Sequence, residues 1–104
     1  MRIYLSGPMT GLPDNNFPAF HAAAKKLRHI GFEVVNPAEI VVLGPTTDPT
    51  YYHRCLRADI RAMMDCDTIA LLPGWEHSSG ANLELHLAHR VGLYVRFVDA
   101  LLPP

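Results

Sequence analysis

The chain has only two cysteines among its 104 residues, Cys55 and Cys66, and neither lies in a metal-binding or redox spacing. A disulfide framework and a cysteine-ligated zinc site are therefore not expected, and both residues read as buried thiols of a cytosolic protein. Blocks of like charge are also missing. Nine Lys and Arg stand against ten Asp and Glu, for a net charge of −1 with six histidines uncounted. That balance argues against a nucleic-acid polymer as partner. No apolar run approaches the roughly 20 residues needed to span a bilayer. The opening Met1-Arg2-Ile3-Tyr4-Leu5 is too short for a secretory leader and runs straight into a turn, so the expected location is the cytoplasm, away from membranes. Repeats, low-complexity tracts and internal linkers are absent as well.

What remains is a chain in which 49% of residues are hydrophobic, enough for one packed domain over residues 1–104. Arg2 to Leu5 reads as a buried strand. Ser6 to Pro13 is a loop dense in turn formers. Asn15 or Asn16 is expected to cap the next helix, with Pro18 in its first turn. That helix carries an apolar stripe of Phe17, Phe20, Ala24, Leu27 and Ile30, and Gly31 ends it. Phe32 to Val35 is a second strand. A loop over Leu43 to Pro49 precedes a helix from about Thr50 to Asp65. Thr68 to Leu72 is a continuous apolar strand, expected at the sheet centre. Ala81 to Val91 is a helix closed by Gly92, and Leu93 to Val98 is a fourth strand. Alternating strands and helices predict an α/β fold: a small Rossmann-like or flavodoxin-like parallel sheet of about four to five strands, flanked by helices.

The stretch richest in possible chemistry runs from Leu71 to Glu84. It leaves a strand through a turn-rich loop and enters a helix that carries Glu84 near its start. In open α/β sheets ligands bind at the carboxyl ends of the strands, where such loops lie. Glu84 either complements the helix dipole or meets a small molecule. Asp59 shares a helix face with Tyr52, Leu56 and Met63, an otherwise apolar face, so it either bridges something structural or lines a pocket. Asp67, between helix and strand, reads as a turn residue. Gly7 and Gly11 let the first loop approach a ligand or simply make an ordinary turn. This loop matches neither the dinucleotide fingerprint nor a P-loop. Ser78 and Ser79 suit either an anion or the helix cap. Trp75 suits stacking or an interface. His77, His86 and His89 lack the pattern of a zinc site, and no metal is expected. Arg54, Arg57 and Arg61 form a solvated helix face, from which Arg57 could reach a phosphate.

Taken in order, Tyr4-Leu5-Ser6-Gly7, Asp59 with Asp67 eight residues on, and Gly80-Ala81-Asn82-Leu83-Glu84 resemble the nucleoside 2-deoxyribosyltransferase superfamily. That superfamily includes the 2′-deoxynucleoside 5′-monophosphate N-glycosidases. The opening Y-L-S-G-P-M-T-G is most similar to short phage-associated members. The resemblance implies that Glu84 attacks the anomeric carbon, Asp59 handles a proton, and Tyr4 positions the glutamate. It places Ser6, Gly7, Ser78 and Gly80 around the sugar or phosphate. It implies a deoxynucleoside or deoxynucleotide as partner, no cofactor, and a homodimer or larger assembly whose sites borrow residues from a neighbouring subunit. Where the transferases carry an aspartate six residues before the nucleophile this chain has Ser78, as the monophosphate hydrolases do. It departs from the hydrolases at Pro8, Thr10 and Asn82. The alternatives are a nucleotide-binding module without turnover and a purely structural oligomer.

Overall fold

The computed structural model describes residues 1–104 and shows an α/β sandwich built on four parallel strands. These are β1 (Arg2–Ser6), β2 (Glu33–Val35), β3 (Thr68–Leu71) and β4 (Tyr94–Phe97), in the order β2-β1-β3-β4. The helices are α1 (Phe17–His29), α2 (Tyr51–Met64), α3 (Ser79–Val91) and the short α4 (Val98–Leu101). Register is set by pairs such as Tyr4 with Val35, and Ile3 with Thr68 through Ser6 with Leu71. β1 and β3 are central, and all four residues of β3 are buried, as the unbroken apolar run predicts.

Two apolar layers sandwich the sheet. On one side Ile3, Leu5, Ala70 and Leu72 pack on Phe20, Ala24 and Leu27 of α1 and on Val98. On the other, Tyr4, Ile69 and Leu71 pack with Met63 of α2, Cys66 and Ala88 of α3. Full burial of a side chain such as Leu27 or Phe20 stabilises the fold by about 1.5–3 kcal/mol. Alternation along β1 therefore sends Ile3 and Leu5 to the α1 side and Tyr4 and Ser6 to the α2/α3 side.

The topology has one functional consequence. From β1 the chain crosses to β2 on one side, and β3 lies on the other. The strand order thus reverses between β1 and β3, and the loops after Ser6 and Leu71 diverge around a crevice. No helix is long and apolar enough to cross a membrane.

Three expectations need correction. Neither asparagine caps α1 with its side chain. Asp14, Asn15 and Asn16 all take positive φ, a left-handed turn that such residues tolerate. Asn16 there donates instead to the Pro8 carbonyl at 2.9 Å. Cys55 is only half-buried, while Cys66 is buried. Val98, expected to end the fourth strand, instead opens α4, because it is drawn into the α1-side core.

Candidate functional site

Glu84 is the centre of the site, and its position follows from α3. The helix is capped by Ser78, whose Oγ accepts from the Ala81 amide at 3.1 Å, an interaction worth about 1 kcal/mol. Its buried residues are Ala81, Glu84 and Ala88, three and four apart on one stripe. Two alanines flanking a glutamate let the helix settle closely on the sheet and carry the carboxylate down onto β1. Glu84 is 6% exposed. A carboxylate so buried is costly without donors, and β1 supplies two. The Tyr4 hydroxyl donates to Oε2 at 2.5 Å and the Ser6 hydroxyl donates to Oε1 at 2.7 Å. Both oxygens are thereby fixed in place.

The electrostatics separate three groups. Burial pushes the Glu84 pKa up, and the hydrogen bonds from Tyr4 and Ser6 pull it back. Asp59, half-buried on α2, is pushed up to about 7, first by burial and then by the charge of Glu84. Tyr4 is held protonated: burial, then the charges of Glu84 and Asp59, raise its pKa. Tyr4 and Glu84 meet directly on the α2/α3 side of the sheet, and Asp59 of α2 senses the charge of Glu84. Two carboxyls in unlike surroundings, one served by two hydroxyl donors and one with a near-neutral pKa, can divide the roles of base and acid.

The remaining expected residues divide. Ser6 touches the carboxylate directly. Ser78 caps α3 and lies beside Gly80, where an added Cβ would meet Tyr52 Oη at 3.8 Å and Ser78 Oγ at 3.9 Å. Gly7 borders the site for a different reason from the one its sequence suggests. A Cβ there would lie 2.8 Å from Leu72 Cβ, so its close approach is to the β3 strand end. Asp67 lies at the amino end of β3, away from Ser6 and Leu71. It accepts from the Arg2 amide at 3.1 Å and from the Thr68 hydroxyl at 2.8 Å, the turn role expected of it.

Two further residues take roles that the sequence did not assign to them. Tyr52 brings its hydroxyl to the start of α3 and shares the helix face of Asp59, seven residues on. That spacing was the available signal. Asn82 donates from Nδ2 to the carbonyls of Trp75, Glu76 and Ser78 at 3.3, 3.1 and 2.8 Å. It therefore staples the loop after β3 to α3, which no periodicity reveals. Trp75 is half-buried against the α2/α3-side core. It also lines a cavity of ≈ 320 Å³ with Leu72, Phe97 and Asp99 at the ends of β3 and β4. No three His, Cys, Asp or Glu side chains gather in a way that could hold a metal ion. Residues 1–97 match the family model described as "Domain of unknown function (DUF4406)". A search of curated proteins finds no match.

Proposed function

The chain belongs to the DUF4406 family, and we propose that it cleaves or exchanges the N-glycosidic bond of 2′-deoxynucleosides or their 5′-monophosphates. The observation that carries this reading is the buried Glu84 carboxylate held by Tyr4 and Ser6, with its charge felt at Asp59, whose carboxyl is pushed up to about 7. The order of Tyr4, Ser6, Asp59, Ser78, Gly80 and Glu84 supports it through their resemblance to the nucleoside 2-deoxyribosyltransferase superfamily.

In this mechanism one Glu84 oxygen attacks C1′ as the bond to the base breaks. The bond's electrons leave with the base, which takes a proton from Asp59. Positive charge that develops on the sugar is stabilised by the adjacent carboxylate. The ionised Asp59 then deprotonates water, which attacks C1′ and releases Glu84. A second base in place of water gives transfer. Ser6, Gly7, Ser78 and Gly80 surround the sugar or its phosphate. The two carboxyls carry the chemistry, so no cofactor is invoked.

The near-complete burial of Glu84 favours a second reading, a nucleotide-binding module without turnover. Incubation with a panel of deoxynucleosides and monophosphates, followed by chromatography for free base, separates the two. Base release by the wild type and its loss by several orders of magnitude in Glu84→Gln, with binding retained, is the expected result. Binding without release from any substrate leaves the module, and full activity in Glu84→Gln removes Glu84 as nucleophile.

A further inference from the structure

On the side of α2 turned away from Asp59 lies a second concavity that the proposed chemistry does not use. Its volume is ≈ 430 Å³, and its walls are Arg54, Arg57, Ala58 and Arg61 of α2 with Val41 and Leu43 of the preceding loop. Arg57 and Arg61 lie two residues either side of Asp59, which places each about 160° around the helix from it. The two sites therefore sit on opposite flanks of one helix.

This concavity is built rather than incidental. Arg54 donates from Nη1 to the Leu43 carbonyl at 2.6 Å, and its Nη2 lies 3.6 Å from Asp48 Oδ2. Its guanidinium carbon sits 5.6 Å from the centroid of the Tyr51 ring. The loop folds tightly over it: a Cβ on Gly44 would fall 2.5 Å from Arg54 Nη1, and the Gly44 φ of +107° suits glycine alone. Asp48, which faces Arg54, is in turn held by the Thr50 amide and hydroxyl, each at 2.8 Å.

Charge here is left uncompensated. Arg57 and Arg61 are exposed and form no salt bridge, the three in the structure being Arg2–Glu33, Arg28–Glu39 and Arg54–Asp48. The buried Nε and Nη2 of Arg54 have no hydrogen-bond acceptor, so Asp48 compensates that cation only in part. Against this positive arc stand Val41 and Leu43, 82% and 81% exposed. Side chains so apolar and so open beside three guanidinium groups describe a site with two halves, one for an anion and one for an apolar or flat body.

We infer that this α2–loop concavity is a second ligand site, which takes a phosphorylated small molecule through Arg57 and Arg61 and rests its apolar body on Val41 and Leu43. The guanidinium fork matches phosphate geometry, and arginine is the residue most suited to it. The volume falls in the range of about 300–1,000 Å³ typical of small-molecule sites. The inference stands apart from the proposed glycosidase chemistry, because it shares no residue with it.

Isothermal titration of the full chain with inorganic pyrophosphate and with ATP tests it. One saturable site per chain is expected, with ATP tighter than pyrophosphate because it also offers an apolar base. Arg57→Ala/Arg61→Ala should weaken binding at least tenfold. Arg57→Lys/Arg61→Lys should recover part of the loss, since charge returns without the fork. In Glu84→Gln, which keeps its substrate without turning it over, an excess of a 2′-deoxynucleoside, which carries no phosphate, should leave pyrophosphate binding unchanged, and this separates the site from the one at Glu84. Both arginines are exposed, and circular dichroism checks that the variants fold. No saturable binding of either probe overturns the inference. So does equal weakening in Lys25→Ala/Lys26→Ala, which removes two charges from α1. Vesicles of phosphatidylglycerol and phosphatidylcholine provide the lipid arm. Arginine-dependent flotation with vesicles, without binding of free ATP, assigns the phosphates to a membrane surface and overturns the small-molecule site.

Discussion

The Tyr4 hydroxyl donates to Glu84 Oε2 at 2.5 Å, joining two residues that are 80 positions apart in the chain. Tyr4 is fully buried, and its raised pKa keeps the proton on the phenol. It is a donor that cannot be lost by titration, and its effect is to favour the charged form of a carboxylate that burial disfavours. Tyr4→Phe keeps the ring and removes that donor. Turnover should then fall on the order of 10²-fold, as for the loss of one preorganised donor in an active site. A purely structural tyrosine would leave the pH profile in place. Here the acid limb of the profile should move to higher pH, because Glu84 keeps only the Ser6 bond. An unmoved acid limb would remove Tyr4 from the positioning of Glu84.

Asp59 makes the molecule pH-sensitive in a defined window. Its pKa in the folded chain is about 7, raised by burial and by Glu84, against about 3.9 for an unperturbed aspartate. Between those values the folded state holds more protons than the unfolded state. Stability should therefore fall as pH rises from about 4 to about 7, and level off above. Glu84, also raised, adds in the same direction. Denaturant melts of wild type and Asp59→Asn at pH 5 and pH 8 test this. The variant should gain on the wild type at pH 8, and equal differences at the two pH values would contradict it. Activity should fall above about pH 7 as Asp59 loses the proton the base needs, and Asp59→Asn should abolish that limb.

Periodicity made much of this fold legible. The long helices, the four strands and their parallel arrangement follow from apolar stripes and alternation, since each records which face meets the core. The alternation in β1 even separates Tyr4 and Ser6 from Ile3 and Leu5, although only the structure shows which side receives α3. What pattern could not show was pairwise. Glu84 reads equally as a dipole partner until Tyr4 and Ser6 are seen to hold both its oxygens. Asn82 looks like any helix polar residue until its amide meets three loop carbonyls. The left-handed turn at Asp14–Asn16 defeated the capping expectation, because the same residue types suit both roles.

Gly7 offers a test of the strand ends independent of chemistry. An added methyl group would lie 2.8 Å from Leu72 Cβ and 3.2 Å from its Cδ1. The Leu72 amide is also tied to the Ser6 carbonyl at 2.8 Å, so that side cannot withdraw without breaking the β1–β3 ladder. Gly7→Ala should destabilise the fold by about 1–3 kcal/mol, the usual cost of overpacking. In a domain of this size that lowers the melting temperature by several degrees. An unchanged melting temperature would show that the loop after Ser6 yields freely.

The surface around the site leads to the last expectation, that the chain self-associates. Of the fourteen residues of α2 only Met63 is buried, so this helix covers the sheet with little of its apolar face sealed. Tyr52 of α2 is 49% exposed and Leu83 of α3 is 39% exposed, and the Tyr52 hydroxyl approaches the start of α3 at Gly80. Apolar side chains thus stand exposed on both helices that border the proposed site. A second copy packed across α2 and α3 would bury them, and an isologous dimer is the commonest way to do so. Such an interface needs about 1,000 Å² or more of buried surface. Light scattering at micromolar concentration should give the mass of a dimer or a larger closed assembly. Leu83→Glu places a charge at the helix surface without touching the core, so the fold should persist while the assembly dissociates. If activity resides in the assembly, base release should fall in the same variant and recover as concentration is raised. A wild-type monomer at micromolar concentration would show that α2 and α3 carry their exposed apolar side chains unpaired.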